Sequence, residues 1–210
     1  MTIWNKIYND YQKGGKAWAT LSEGIHPLFK SLLMKSRFDH KHALDIGCGT
    51  GKYAVFLKKK GFAVDGIDSS DTAIRMTKKA LGKNVGRILK SDMFRFRIPK
   101  DKYDLIISVA TIQHGLKKNI QKLITQIHSS LTKGGKVFIS LPDYESSKKW
   151  DTFQNHKNLG SKTFAPMSGP EKGLPHSFYT KAEAQKLFAK FRIVKISLDS
   201  IGRWIIQAKK

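Results

Sequence analysis

Apolar residues recur along this chain at helical spacing in some stretches and as short continuous runs in others. Ile25, Leu28, Phe29, Leu32 and Leu33 return every three to four positions, as do Ile120, Leu123, Ile124, Ile127 and Leu131. Each set predicts a helix with one buried face. The short run ending at Leu44-Asp45-Ile46, the stretch Phe62 to Ile67 and the run Val85 to Leu89 read as strands. Late in the chain Thr180-Lys181-Ala182-Glu183 has the form of a capping box, with Leu187, Phe188 and Phe191 continuing that helix. Strand and helix alternate over most of the length, which predicts parallel pairing through right-handed crossovers and a doubly wound α/β sheet.

Two regions depart from that rhythm. The runs from about Arg192 to Leu198 and Arg203 to Ala208 are joined by a few residues including Gly202, too few for a crossover helix, so they must run antiparallel. Residues 143–179 show little periodicity and carry Pro166, Pro170 and Pro175. They are expected to form a long loop, and a loop of that length in a compact domain is usually functional.

The first predicted strand ends in Asp45-Ile46-Gly47-Cys48-Gly49-Thr50-Gly51 and an amphipathic segment follows. This is a strand, a tight turn and a helix start, where a nucleotide-like cofactor can meet bare backbone. A dinucleotide fingerprint needs its third glycine three positions after the second, and that position is Lys52. The third glycine comes early, at Gly51, and a carboxylate, Asp45, precedes the turn, so a pyrophosphate cradle is disfavoured. Asp68 closes the second strand, where an acid can accept hydrogen bonds from both ribose hydroxyls. Asp92 follows the third strand, where adenine could be read.

These residues resemble the class I S-adenosylmethionine (SAM)-dependent methyltransferases from about His42 to the C-terminus. The resemblance rests on Asp45-x-Gly47-x-Gly49-x-Gly51, Asp68, Ser91-Asp92-Met93, Tyr103-Asp104 before a hydrophobic strand, and Leu131-Thr132-Lys133-Gly134-Gly135 before another, all in the family's order. It implies a Rossmann-like seven-stranded sheet, mostly parallel with an antiparallel last strand. It places the methionine part of SAM on the turn Gly47, Cys48, Gly49, Gly51 and the ribose on Asp68. Adenine would lie between Ser69 and Met93 with Asp92 near its exocyclic amine, and Ala110 would lie beneath the methionine end. For any one of these carboxylates taken alone, a helix cap or loop residue is the competing reading.

The acceptor pocket is expected over the ends of the fourth and fifth strands, bounded by Thr111-Ile112-Gln113-His114, by Asp143-Tyr144 and by the 143–179 insertion. Residues 1–40, with Tyr8, Tyr11, Lys16 and Trp18, are expected to form a helical lid over the cofactor. His114 is the general-base candidate, with a packing or capping histidine as the alternative. His176 is a second candidate from the insertion. Trp18, Trp150, Phe164 and Tyr179 could wall a flat or cationic substrate, or simply fill the core.

Length and composition narrow the reading further. With 210 residues and nothing resembling a linker, one domain spanning 1–210 is expected. No apolar run approaches a membrane span and the N-terminus lacks signal-peptide features, so a cytoplasmic protein is expected. Cys48 is the one cysteine, which excludes an internal disulfide and argues against a cysteine-built metal site; no metal is expected. The net charge of +23 invites a nucleic-acid partner, but 32 of the 39 basic residues are lysines scattered over every segment. Groove and phosphate recognition favour arginine. The acidic or asparagine residue, two prolines and aromatic of DNA amino-methyltransferases are replaced by Ser108-Val109-Ala110-Thr111, and no cysteine serves carbon-5 chemistry. A methyltransferase acting on an O, N or S atom of a small molecule, similar to the ubiquinone-biosynthesis and tellurite-resistance group, is the first expectation. An RNA-modifying enzyme is the second, and a SAM-binding module without turnover the third.

Overall fold

The computed structural model describes residues 2–15, 24–82, 86–149 and 155–210. Helices α1 (Ile3–Gln12) and α2 (Pro27–Met34) precede the sheet. Then follow β1 (His42–Ile46), α3 (Lys52–Lys59), β2 (Ala63–Asp68), α4 (Asp71–Leu81), β3 (Ile88–Lys90), β4 (Tyr103–Ser108), α5 (Lys117–Ser130) and β5 (Leu131–Pro142). The chain continues through α6 (Tyr144–Ser147), β6 (His156–Asn158), β7 (Thr163–Pro166), β8 (His176–Ser177), α7 (Lys181–Leu187), β9 (Arg192–Leu198) and β10 (Arg203–Lys209).

Seven strands form one sheet in the order β3-β2-β1-β4-β5-β10-β9. β1 pairs in parallel with both β2 and β4, and β10 runs antiparallel to β5 and β9. The strand order reverses between β1 and β4, so a crevice opens at their C-terminal ends, the usual ligand position in such sheets. The expected architecture, including the reversed last strand, is the one found.

Period-two alternation divides the central strands between two cores. Leu105 and Ile107 pack with Phe29, Ala54, Leu57 and Phe138 on the side of α2, α3 and α4. Ile106, between them, faces Ile120, Leu123, Ile124 and Ile127 of α5 and Phe188 beyond α7. Both faces are buried, which explains why β4 reads as a continuous apolar run. The capping box at Thr180 is present, with Thr180 Oγ1 accepting from Glu183 N and Glu183 Oε2 accepting from Thr180 N.

Two boundaries differ from expectation. β3 begins at Ile88, and Val85 lies outside the described residues. Residues 143–179 are more ordered than a loop, holding α6 and a three-stranded antiparallel sheet, β6-β7-β8. Strands of two to four residues are too short to leave a legible alternation. No helix among the described residues is long and apolar enough to cross a membrane.

Candidate functional site

The turn between β1 and α3 takes its shape from three glycines with positive φ, Gly47 (77°), Gly49 (57°) and Gly51 (84°). A Cβ on Gly47 would run into the Thr111 side chain, and one on Gly49 would stand 2.5 Å from the Tyr8 hydroxyl. Backbone N–H groups of Gly47 and Cys48 donate to Ile67 O at 2.8 and 3.0 Å, tying the turn to the end of β2.

Asp68 completes this arrangement. Its carboxylate accepts from Gly49 N at 3.1 Å and from Ser70 N at 2.9 Å. Burial raises its pKa against those two bonds. Asp45, 4% exposed, is pushed up to about 7 by burial first and by the Asp68 charge second. Burial and the same two carboxylates push the Cys48 thiol well above its usual range, so Cys48 is a small wall residue and not a thiolate.

Helix α1 lies against this end. Asn5 Oδ1 accepts from Ser70 Oγ and Thr72 N, and Tyr8 is buried over the turn with its phenol pKa driven up by burial. Trp18, Lys16 and Trp150 lie outside the described residues. Of the expected lid residues that are described, Tyr8 lines the cavity and Tyr11 does not.

A cavity of about 960 Å³ runs from this turn across the ends of β1, β4 and β5. Asp45, Gly47, Cys48, Gly49, Asp68, Ser69, Asp92, Met93 and Ala110 all line it, so the structure assembles most of the expected cofactor set. Gly51 stands back from it as the left-handed N-cap of α3. Asp92 Oδ1 accepts from Phe94 N at 2.8 Å, which orders the 91–94 turn. Ala110 has φ 53° and donates its N–H to Ser140 Oγ at 2.7 Å. A non-glycine residue held there is strained, and such strain concentrates at functional sites.

At the far end of the cavity stand Trp4, Gln113, His114, Glu171, His176 and Arg203. His114 and His176 meet edge to face with ring centroids 4.7 Å apart, and Trp4 packs on His114 at the same distance. Glu171 lies between the imidazoles, with Oε1 3.6 Å from His114 Nε2 and Oε2 3.1 Å from His176 Nε2. Burial, followed by His176, holds the His114 pKa well below its usual range. The loop carrying His114 is bolted to β8: Ser177 N donates to Gln113 O at 2.9 Å and Ser177 Oγ to Gly115 O at 2.7 Å.

Three expected substrate residues stand apart from this cavity's lining. Phe164 packs against Tyr144 (6.4 Å), Phe178 (5.9 Å) and His156 (4.7 Å), forming the interior of the small sheet. Tyr179 is buried behind β5, its ring under Lys117 Nζ at 4.5 Å. Phe164 thus fills the interior of the small sheet, whereas Tyr179 joins the main core on the side of α5 and α7. Glu171, Trp4 and Arg203 were missed by the sequence reading. The one sequence hint was an acid five positions before His176 in the same insertion.

A family model for a methyltransferase domain matches residues 17–191. A Staphylococcus carnosus protein named as an uncharacterized methyltransferase is 34% identical over 119 residues, 55% of this chain and 54% of that protein. The ubiquinone biosynthesis O-methyltransferase of Coxiella burnetii is 29% identical over 102 residues, 48% of this chain and 43% of that protein. The chain spans about half the length of the curated relatives it matches. A SAM-dependent methyltransferase structure from Methanosarcina mazei shares the fold with a TM-score of 0.71 at 18% identity, over 90% of this chain and 99% of that one.

Proposed function

The chain belongs to the methyltransferase-domain family and has the fold of its SAM-dependent members, and we propose that it transfers the SAM methyl group to an oxygen, nitrogen or sulfur atom of a small molecule. The observation that carries this reading is the single cavity with the glycine turn, Asp68 and Asp92 at one end and the His114–Glu171–His176 corner at the other. Its volume is in the range of small-molecule sites. Among the relatives, the Coxiella burnetii enzyme is named for ubiquinone biosynthesis, which accords with a small acceptor.

In this reading Asp68 accepts hydrogen bonds from the ribose hydroxyls and the glycine turn faces the methionine part. The sulfonium methyl points past Ala110 toward the histidines. The acceptor's lone pair attacks the methyl carbon, and the C–S bond breaks with its electrons returning to sulfur, leaving S-adenosylhomocysteine. The acceptor's proton leaves at the histidine–glutamate corner. Positioning and exclusion of water carry most of the rate.

Calorimetric titration with SAM, S-adenosylhomocysteine and NAD tests the cofactor half. Micromolar binding of the two sulfur compounds, absent for NAD and lost in Asp68→Ala, is the expected result; NAD preference would overturn it. RNA as acceptor is the second reading, resting on the net charge of +23. It predicts an RNA affinity that falls steeply with added salt as counterions are released. Salt-insensitive or absent RNA binding removes it.

A further inference from the structure

The geometry points to a divalent metal site of the zinc type formed by His114, Glu171 and His176, with its open coordination positions facing the acceptor end of the cavity. Their ligand atoms lie within 4.8 Å of one another, and all three residues line the cavity. The set is two imidazoles and one carboxylate, which is the donor set of catalytic zinc sites that keep a position for water or substrate.

The hydrogen-bond pattern around His176 makes the strongest argument. Its Nδ1 lies 2.9 Å from Leu174 O. A carbonyl can only accept, so Nδ1 carries a proton, which leaves Nε2 as the nitrogen able to bind an ion. Nε2 faces Glu171 Oε2 at 3.1 Å. The contact is closed either by a proton on Nε2, as an ion pair, or by a cation held between nitrogen and carboxylate, and the second is the arrangement proposed here. Fixing the imidazole through an Nδ1–H to a backbone carbonyl is also how proteins orient metal-binding histidines.

The distances agree with an ion. With bonds of about 2.0–2.1 Å, ligand atoms of a tetrahedral site stand about 3.3 Å apart. The separations of 3.1 Å from His176 Nε2 to Glu171 Oε2 and 3.6 Å from His114 Nε2 to Glu171 Oε1 lie either side of that value, each imidazole facing its own carboxylate oxygen. The loop that carries the second histidine is held in place: β8 and the 113–115 loop are joined through Ser177, and Thr163 Oγ1 bonds Ser177 Oγ at 2.7 Å. His114 Nδ1 is buried without a protein partner, and its side chain is 7% exposed. Rigid support of this kind keeps ligands in place before the ion arrives.

Charge decides what such an ion would do. Two neutral imidazoles and one carboxylate would leave a bound divalent ion with one net positive charge, in a cavity that Lys149 also lines, while the Arg203 guanidinium there is paired with Asp199 at 2.8 Å. That corner suits an acceptor that binds as an anion. A hydroxyl or thiol coordinated there loses its proton to solvent near neutral pH, and the resulting oxyanion or thiolate attacks the methyl carbon as the C–S bond breaks. This role rests on the methyl-transfer reading; metal binding itself does not.

The test uses the full chain, stripped with EDTA and titrated with zinc chloride by calorimetry, and loaded separately with Co²⁺ for its visible absorption. One equivalent of zinc should bind at micromolar or tighter affinity. Glu171→Gln and His176→Asn should each weaken it by about 100-fold, as loss of a ligand costs at least as much as loss of its support. His40→Asn, at an exposed histidine far in sequence from the cluster, should leave it unchanged. Because a variant could fail to fold, the wild-type Co²⁺ spectrum gives an independent reading, with intense d–d bands expected for a low-coordinate nitrogen and oxygen site. Absence of stoichiometric zinc binding, with His176 found as an imidazolium at neutral pH by NMR, would overturn the proposal and put a proton where the metal was placed. Zinc binding unaffected by both cluster variants would also overturn it. SAM titration of the stripped protein separates the two readings, since the cofactor end should bind with or without the ion.

Discussion

The two ends of the cavity are built in opposite ways. At the cofactor end the ligand-facing groups come from consecutive β–α units, and the turn, Asp68 and Asp92 are held by backbone bonds to their own neighbours. At the acceptor end Trp4, His114, the Glu171–His176 stretch and Arg203 arrive from four separate segments, and the first three meet through side chains. A backbone-made site recognises a constant ligand and tolerates little change. A site made of side chains can be re-specified by altering one residue, as a changing substrate demands.

If that difference is real, the most damaging single change should lie in the turn. Gly47→Val places a branched side chain at φ 77° and into Thr111, and should cost about 3 kcal/mol or more of stability along with all measurable SAM binding. Thermal melts and calorimetry check both; a stable variant that binds SAM would show the turn to be permissive. Asp68→Ala should lower SAM affinity by about 100-fold by removing a charged acceptor. It should also loosen the turn by about 1–3 kcal/mol, because Gly49 N and Ser70 N lose their partner.

The acceptor end should behave differently. His114→Asn should leave SAM affinity within about threefold while lowering single-turnover methyl transfer by about 100-fold, whether its imidazole takes the proton itself or holds the ion that makes the acceptor acidic. Equal losses in binding and turnover would mean that the two ends are not separable.

The smallest expected effect is one of pH, and it belongs to the cofactor end. Asp45 has its pKa raised to about 7 in the ligand-free protein. SAM carries a sulfonium and an ammonium, so its binding favours the ionised carboxylate. Affinity should therefore fall as pH drops below about 7, by about tenfold between pH 8 and pH 6. Asp45→Asn should flatten that profile. For folding the sign is reversed: a raised carboxyl pKa gives stability that is complete below the unfolded value near 4 and is lost as pH rises through about 7. SAM should thus stabilise the protein most on the alkaline side, which melts with and without cofactor will show.

The amino-acid sequence alone determined the features whose causes are local. Glycines reaching positive φ, an acid at a strand end, helical spacing in α5 and a connection too short for a crossover all act within a few residues, so the sheet, the shape of the glycine turn and the β9–β10 hairpin were legible. Tertiary structure decided the rest. The strands of the 143–179 segment are too short to show a period, and Phe164, expected at the substrate, packs into the small sheet while Tyr179 packs into the main core. The meeting of His114 with Glu171 and His176 depends on β8 docking through Ser177 against the loop after β4. Nothing in the spacing of those residues encodes it, because contacts between distant segments are fixed by packing of the whole chain.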